Sequence, residues 1–148
     1  MRVYFAGPLF TPYERSFIDE CAARLRAEGI DVFVPHENAL AAGDTSAATI
    51  FKKDWAGLSD ADAVVALLDG PLVDDGTACE IGMFAELVRS GGEQYRGIVA
   101  IATDLRLERR REKGVVGGGM NLFVGGAIQS CGAVVSSVDE VVARLREL

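Results

Sequence analysis

Short apolar runs alternate with longer amphipathic stretches along the whole chain. Five runs are rich in Val, Ile and Ala, and most of them end at Gly, Pro or Asp: residues 3–6, 31–34, 63–68, 97–103 and 133–136. Such runs are typical of strands that are buried on both faces of a parallel sheet. Between them, apolar residues recur at helical spacing. The pattern therefore predicts strands that alternate with helices.

The predicted helices begin at recognisable capping signals. A Ser or Thr is followed three residues later by Glu at Thr11–Glu14, Thr77–Glu80 and Ser137–Glu140. In such a capping box the glutamate side chain accepts from the backbone N–H of the cap residue. Pro12 at the first helical position strengthens the first of these signals. We therefore expect helices that open at Thr11, Thr77 and Ser137.

Alternating strands and helices predict an α/β domain of three layers around a parallel sheet. The 148 residues fit one domain, residues 1–148, with no internal repeat and no linker. Five strands favour the flavodoxin-like order 2-1-3-4-5, in which ligands bind at the switch point beyond strands one and three.

The loops after strands one and three, AGPLF and DGPLVDDG, would overhang that crevice. They and their neighbours supply the candidate site residues Tyr4, Gly7, Pro8, Asp69, Asp74, Asp75, Gly76 and Glu80. Spacing alone leaves two interpretations of Glu80 open, a helix cap or a catalytic carboxylate.

A further carboxylate, Asp54, falls on the apolar stripe of a helix predicted from residue 44 or 45 to 59. It shares that stripe with Ile50, Phe51 and Leu58. A carboxylate that faces a core is costly unless it is paired or hydrogen-bonded. Asp54 therefore either lies at the edge of the stripe, in contact with water, or belongs to a site.

Composition restricts the partners. A net charge of −7 argues against nucleic acid, because phosphate binding needs a basic stripe. Three widely spaced cysteines indicate a reducing compartment without disulfides or zinc. The start of the chain lacks a leader pattern and no apolar run is long enough to span a membrane. We expect a cytoplasmic protein that takes small molecules and no cofactor.

Several common chemistries lack their motifs. His36 is the one histidine and follows a predicted strand, which favours a loop role over catalysis, and no set of residues has metal-ligand spacing. The run 117–119 is not followed by GK[ST], and GxGxxG is absent. The segment 104–119 gathers Arg106, Arg109, Arg110, Arg111 and Lys113. It is interpreted as a solvated loop or, alternatively, as a lid or phosphate contact.

Together, four segments resemble the nucleoside 2-deoxyribosyltransferase family. They are VYFAGP at the start, Asp54 followed by AGLSDADAVVALLDGP, the element DDGTACEIG, and the late GGGMNLF. The resemblance spans residues 3 to about 128. The G-T-x-x-E-[IL]-G element is shared with related nucleotide N-glycosidases, whereas the NLF segment favours the transferases.

The resemblance implies a role for each matching position. The nucleophilic glutamate of the family falls on Glu80, and the tyrosine that hydrogen-bonds it falls on Tyr4. Two aspartates that contact base and sugar fall on Asp54 and Asp74. An asparagine from a neighbouring subunit and its apolar neighbour fall on Asn121 and Phe123. The chain departs from several relatives in ending on a helix instead of an aromatic tail, and Asp75 adds a charge.

Three functions are consistent with this pattern. The first is transfer of deoxyribose between the base of a 2′-deoxynucleoside and a free nucleobase through an ester on Glu80, as in nucleoside salvage. The second is hydrolysis of a nucleoside or its 5′-monophosphate at the same site. The third is a sensor without turnover, which the mutual repulsion of clustered carboxylates disfavours. A helix N-terminus at Glu80 would keep the carboxylate ionised at neutral pH.

The resemblance also implies shared active sites. In the family a partner subunit walls the crevice, so we expect a homo-oligomer, a dimer or a hexamer, with Asn121 and Phe123 contributed to the neighbouring site.

Overall fold

The computed structural model describes residues 1–38, 46–107 and 120–148. The strands are β1 (Arg2–Ala6), β2 (Asp31–Phe33), β3 (Ala63–Leu67), β4 (Gly97–Ile101) and β5 (Gly132–Val135). The helices are α1 (Pro12–Ala27), α2 (Ala47–Ser59), α3 (Asp75–Arg89), α4 (Leu122–Cys131) and α5 (Val138–Glu147). A 3-10 turn, Pro35–Glu37, follows β2.

The strands form one parallel sheet in the order β2-β1-β3-β4-β5. The predicted order and the predicted α/β class are confirmed, and the predicted strand ends differ by up to two residues. Tyr4 pairs with Val64 of β3 on one side and Phe33 of β2 on the other. The loops after β1 and β3 therefore leave the sheet side by side.

Alternate residues of each strand enter two separate apolar cores. Val3 and Phe5 face the layer formed by α1 and α5, whereas Tyr4 and Ala6 face the layer formed by α2, α3 and α4. All four of these β1 residues are fully buried. Tyr4 thus points to the side of the sheet from which Asp54 and Glu80 come.

Helix α1 begins as predicted, because Thr11 accepts from the N–H of Glu14 and the Glu14 side chain accepts from Thr11. Ser137 likewise accepts from Glu140 at the start of α5. The predicted capping box at Thr77 is wrong. Asp74 is the N-cap of α3, and its carboxylate accepts from Thr77, so the helix starts one turn earlier.

The predicted core stripe of α2 is also wrong in part. Ile50 and Phe51 are exposed, while Gly57 and Leu58 are buried. A Cβ on Gly57 would lie 2.6 Å from the Phe33 ring, so this glycine lets α2 approach β2 closely. Helix α2 therefore packs against the sheet mainly through the residues near its C-terminal end. Helical periodicity had predicted a longer buried stripe.

Candidate active site

A short hydrogen bond joins the first strand to the third helix. The Tyr4 hydroxyl donates to Oε1 of Glu80 at 2.5 Å. The backbone fixes both groups: Tyr4 lies in the middle of the parallel pairing and stacks on Phe33, with 5.4 Å between ring centroids, and Glu80 lies in the second turn of α3. The pair predicted from the resemblance is therefore in contact.

Asp74 caps the helix that carries Glu80. Its Oδ2 accepts from the Thr77 N–H at 2.9 Å and from the Thr77 hydroxyl at 3.0 Å. Thr77 itself is buried. Asp74 thus holds the start of α3 and stands in the same pocket as Glu80.

Asp54 enters the pocket from α2. Its side chain is 22% exposed, and Oδ1 lies 3.1 Å from Nζ of Lys53. This contact is an ion pair and not a hydrogen bond. Oδ1 is buried and has no hydrogen-bond partner among the described residues. Asp54 is therefore partly buried and electrostatically compensated, not simply solvated at the edge of its helix.

The side chains of Asp54, Asp74 and Glu80 line a pocket of about 500 Å³ at the carboxyl ends of β1 and β3. Its lining residues come from the β1 loop, the segment after β2, α2 and the start of α3: Gly7, Leu9, Phe10, Pro35, His36, Asn38, Ile50, Lys53, Asp54, Asp74, Gly76, Thr77 and Glu80. Such a volume is typical of a site for a small organic ligand.

Burial and neighbouring charges set the state of Glu80. Burial raises the pKa of Glu80 to about 7, the Tyr4 hydrogen bond opposes this increase, and the charges of Asp54 and Asp74 add to it. The expectation that the helix N-terminus keeps Glu80 ionised at neutral pH is therefore wrong: near pH 7 both protonation states are populated. The pKa of Tyr4 is raised well above its ordinary value, first by burial and then by Glu80, so it remains a donor.

Asp69 and Asp75 do not line this pocket. Asp69 accepts from the N–H of Thr103 at 2.7 Å and of Asp104 at 3.0 Å, and so ties the loop after β3 to the loop after β4. Asp75 is exposed and accepts from the N–H of Gly76. Pro8 is buried beside the lining residue Gly7. A role for Asp69, Asp75 or Pro8 in binding stays a prediction.

Asn121 and Phe123 lie at the exposed start of α4. Asn121 is the N-cap of this helix and accepts from the Phe123 N–H at 2.9 Å. Phe123 is 86% exposed and its neighbour Leu122 is 61% exposed. Neither Asn121 nor Phe123 lines the pocket of its own chain.

The structure adds lining residues that the sequence did not single out. Lys53 precedes Asp54 but lay outside the expected stripe, so periodicity gave no signal for it. Phe10 lines the pocket and is 77% exposed. His36, expected in a loop role, also lines the pocket, and its Nε2 donates to Asp19 at 2.6 Å. Phe10 belongs to the AGPLF loop that was predicted to overhang the crevice, whereas no sequence pattern linked His36 to the site.

The basic segment lies mostly outside the described residues. Residues 108–119, including Arg109, Arg110, Arg111 and Lys113, are not described. Arg106 is described and is paired with the Asp104 carboxylate, at 2.5 Å from Nη2 to Oδ2. The prediction of a loop, lid or phosphate contact therefore stays untested.

The described residues hold neither a metal-binding cluster nor a helix that could span a membrane. In residues 1–38, 46–107 and 120–148 no group of three or more His, Cys, Asp or Glu side chains is placed to hold a metal ion. Within the same ranges, every helix is too short or too polar to cross a membrane. All three cysteines are free thiols.

The fold matches solved structures over nearly its whole length. A conserved protein from Enterococcus faecalis V583 superposes with a TM-score of 0.78 at 28% identity, covering 99% of this chain and 97% of that one. A 2-deoxyribosyltransferase from the psychrotolerant bacterium Bacillus psychrosaccharolyticus superposes with a TM-score of 0.71 at 23% identity, covering 96% of this chain and 90% of that one. At that identity the second match shows the fold alone.

The sequence itself matches a family model. No curated protein sequence matches this chain significantly. The model described as Nucleoside 2-deoxyribosyltransferase matches residues 3–107. This span includes β1, α2, β3 and α3, with the pocket carboxylates of Asp54, Asp74 and Glu80 and the Tyr4 that hydrogen-bonds Glu80. This span is more than half of the chain, and the chain belongs to the nucleoside 2-deoxyribosyltransferase family.

Proposed function

We propose that this protein exchanges the base of 2′-deoxynucleosides through a covalent deoxyribosyl intermediate on Glu80. The observation that carries the proposal is the Tyr4–Glu80 hydrogen bond in a pocket that also holds Asp54 and Asp74. Glu80 is buried and oriented as a nucleophile, and Asp54 and Asp74 are close enough to act as acid and base. Retaining glycosyl transfer requires both functions.

In the first half-reaction, an Oε atom of ionised Glu80 attacks the anomeric carbon of the deoxyribose. A C–O ester bond forms, the C–N glycosidic bond breaks, and its electron pair leaves with the base. The departing base takes up one proton, which Asp74 or Asp54 accepts from solvent and passes to it. Tyr4 donates to the Glu80 carboxylate and fixes the direction of attack.

In the second half-reaction, a ring nitrogen of the acceptor base attacks the same carbon. The ester bond breaks, its electron pair returns to Glu80 as carboxylate, and the aspartate that lost its proton accepts one from the incoming base. Atoms and charge balance without a cofactor. Phe10 and Ile50 offer apolar surface in the pocket on which a base ring can pack.

A substitution at Glu80 tests the nucleophile. Glu80→Gln keeps a carbonyl oxygen that can accept from the Tyr4 hydroxyl, but it removes the carboxylate charge that makes Glu80 a nucleophile. We therefore expect base exchange to fall by at least about a thousandfold. Glu86→Gln on the same helix is the matched control, because Glu86 is exposed and pairs with Arg89. Exchange would be followed by chromatography with deoxyinosine as donor and adenine as acceptor. Near wild-type exchange by Glu80→Gln would refute the mechanism.

Hydrolysis is the second candidate, and the exposure of the pocket favours it. Phe10 lines the pocket yet is 77% exposed, so water can reach an ester on Glu80 in an isolated chain. Incubation with deoxyinosine, with and without adenine, and separately with dIMP distinguishes the two. Free sugar formed from the monophosphate without dependence on an acceptor would favour the hydrolase.

The transferase proposal includes a homo-oligomer, a dimer or a hexamer, with sites shared between subunits. The exposed Phe123 and Leu122 support it, because large apolar side chains exposed this far often mark a contact surface. A partner that covers the pocket would exclude water and so favour transfer over hydrolysis. In this arrangement Asn121 of one chain reaches the sugar bound to Glu80 of another.

A further inference from the structure

Lys53 places a cation inside the carboxylate pocket. Its Nζ donates to the Pro35 carbonyl oxygen at 2.8 Å and lies 3.1 Å from Oδ1 of Asp54. Its side chain is only 23% exposed, and it lines the same pocket as Glu80. A lysine held at both a carbonyl and a carboxylate has a fixed position, so its charge acts from one place.

The described pocket lining carries more acidic than basic side chains. The lining residues include three carboxylates, those of Asp54, Asp74 and Glu80, and Lys53 is the one lysine or arginine among the described residues of the lining. Like charges at this separation disfavour simultaneous ionisation, and burial strengthens the effect. An added positive charge offsets part of that repulsion.

Asp54 depends on the same contact. Its buried Oδ1 has no hydrogen-bond partner among the described residues, so the Lys53 ammonium is what compensates its charge. A buried carboxylate without such compensation would take up a proton or turn away from its position. Lys53 therefore affects two of the three carboxylates at once.

We propose that Lys53 is a positioning residue that holds Asp54 in place and offsets part of the negative charge around Glu80, so that a larger share of Glu80 is ionised, and thereby nucleophilic, at neutral pH. The inference rests on the proposed function for its catalytic meaning, but the effect on Glu80 is a physical property of the pocket. The positive charge of Lys53 lowers the pKa of Glu80, in opposition to burial and to the two aspartates.

The other titratable groups near Glu80 come from three elements and from the wall after β2. Tyr4 of β1 donates a hydrogen bond, Asp54 of α2 and the cap residue Asp74 are negative, and the pocket wall after β2 carries His36, which is paired with Asp19 of α1. Helix α4 packs against α3 and carries no charged side chain. Among the described residues that line the pocket, Lys53 is therefore the one lysine or arginine that opposes the two aspartates at Glu80.

The test compares Lys53→Met, Lys53→Arg and Lys52→Met. Lys52 is the matched control, since it is the adjacent lysine, is exposed and does not line the pocket. The kcat/KM of base exchange is measured from pH 5 to 9, and the carboxyl carbon of Glu80 is titrated over the same range by ¹³C NMR. Thermal unfolding of each variant confirms that it is folded.

We expect Lys53→Met to move the acid limb of the pH profile and the NMR midpoint of Glu80 upward by about one pH unit. Lys53→Arg keeps the charge and should restore most of the wild-type profile, and Lys52→Met should leave it unchanged. An unshifted Glu80 midpoint in folded Lys53→Met would overturn the inference. If wild type exchanged no bases at all, the proposed function would fail, and the NMR titration would still decide the role of Lys53.

Discussion

At the scale of single residues, the ionised form of Glu80 that the chemistry requires is the form that destabilises the fold. Burial and two neighbouring aspartates raise its pKa from 4.5 to about 7, so the folded chain favours the protonated form. The unfolded chain has no such preference. A glutamate poised in this way can ionise near neutral pH and act as a nucleophile, but its ionised form destabilises the fold.

This destabilisation predicts a stability profile for Glu80→Gln. Below pH 4.5 wild-type Glu80 is protonated in both states, so the variant and wild type should be about equally stable. As the pH rises from 4.5 to 7, the raised pKa makes wild type lose stability that the variant keeps. Above pH 7 the variant should be more stable by roughly 3 kcal/mol.

Urea denaturation at pH 4.5, 6 and 8 measures this difference directly. Glu86→Gln is the control, because hydrogen bonds from Arg89 and Ser90 lower the pKa of that exposed carboxyl, opposite to the direction at Glu80. A stability difference that is independent of pH would contradict the raised pKa of Glu80.

At the scale of elements, one side chain at the start of α3, that of Asp74, has two roles. Asp74 caps the helix through Thr77 and also stands in the pocket. The sequence placed Asp74 in the site, through the loop after the third strand and through the family resemblance, but assigned the cap to Thr77. The signals for a cap at Asp74 and at Thr77 overlap, because both residues are good caps and each precedes plausible helical residues.

Two substitutions separate these roles. Asp74→Asn keeps an oxygen that can accept from Thr77, so it should retain stability but lose most of the exchange activity, because it cannot carry the proton. Asp74→Ala removes the cap as well and should cost about 1 kcal/mol of unfolding free energy. Thermal unfolding and the exchange assay on both variants check this. Full activity in Asp74→Asn would show that its charge is not needed.

The junction between α4 and β5 depends on one glycine. Helix α4 ends at Cys131 and β5 starts at Gly132 without an intervening loop. Gly132 pairs with Ile98 of β4, and a Cβ on Gly132 would lie 1.7 Å from the Ile98 carbonyl oxygen. The backbone there is extended, with φ at −176°, so the requirement for glycine is close packing and not an unusual backbone angle.

Gly132→Ala should therefore push β5 away from β4 and destabilise the protein by about 2–4 kcal/mol. Gly126→Ala in α4 is the matched control, because a Cβ there meets nothing within 4 Å. Chemical denaturation of both variants gives the comparison. Equal stability of the two variants would contradict the close contact seen at Gly132.

At the scale of the whole molecule, the sheet order followed from the sequence because alternating buried runs and helices allow few parallel topologies. The pocket was predictable only in part. Tyr4, Asp54, Asp74 and Glu80 were found from motifs, whereas Lys53 was not. The exposure of Ile50 and Phe51 also escaped periodicity, because an apolar stripe does not say whether it meets the core of its own chain.

The proposed assembly predicts that defective chains complement one another. Glu80→Ala removes the nucleophile and Asn121→Ala removes a group offered to a neighbouring site, so each variant alone should be inactive. Mixing the two after dissociation and reassembly should restore part of the exchange activity, up to about a quarter in a dimer with statistical pairing. Light scattering sets the oligomer size. An active monomer would refute shared sites.

The Tyr4–Glu80 hydrogen bond has a consequence for folding kinetics. It joins residues 76 positions apart, and it forms only where β1 pairs with β3 and α3 packs on that face of the sheet. Contacts of such long range close late, because a large loop must be ordered before they add stability. During refolding, helical signal should therefore return before catalytic activity, and the delay between the two would report when the central strand pairing forms.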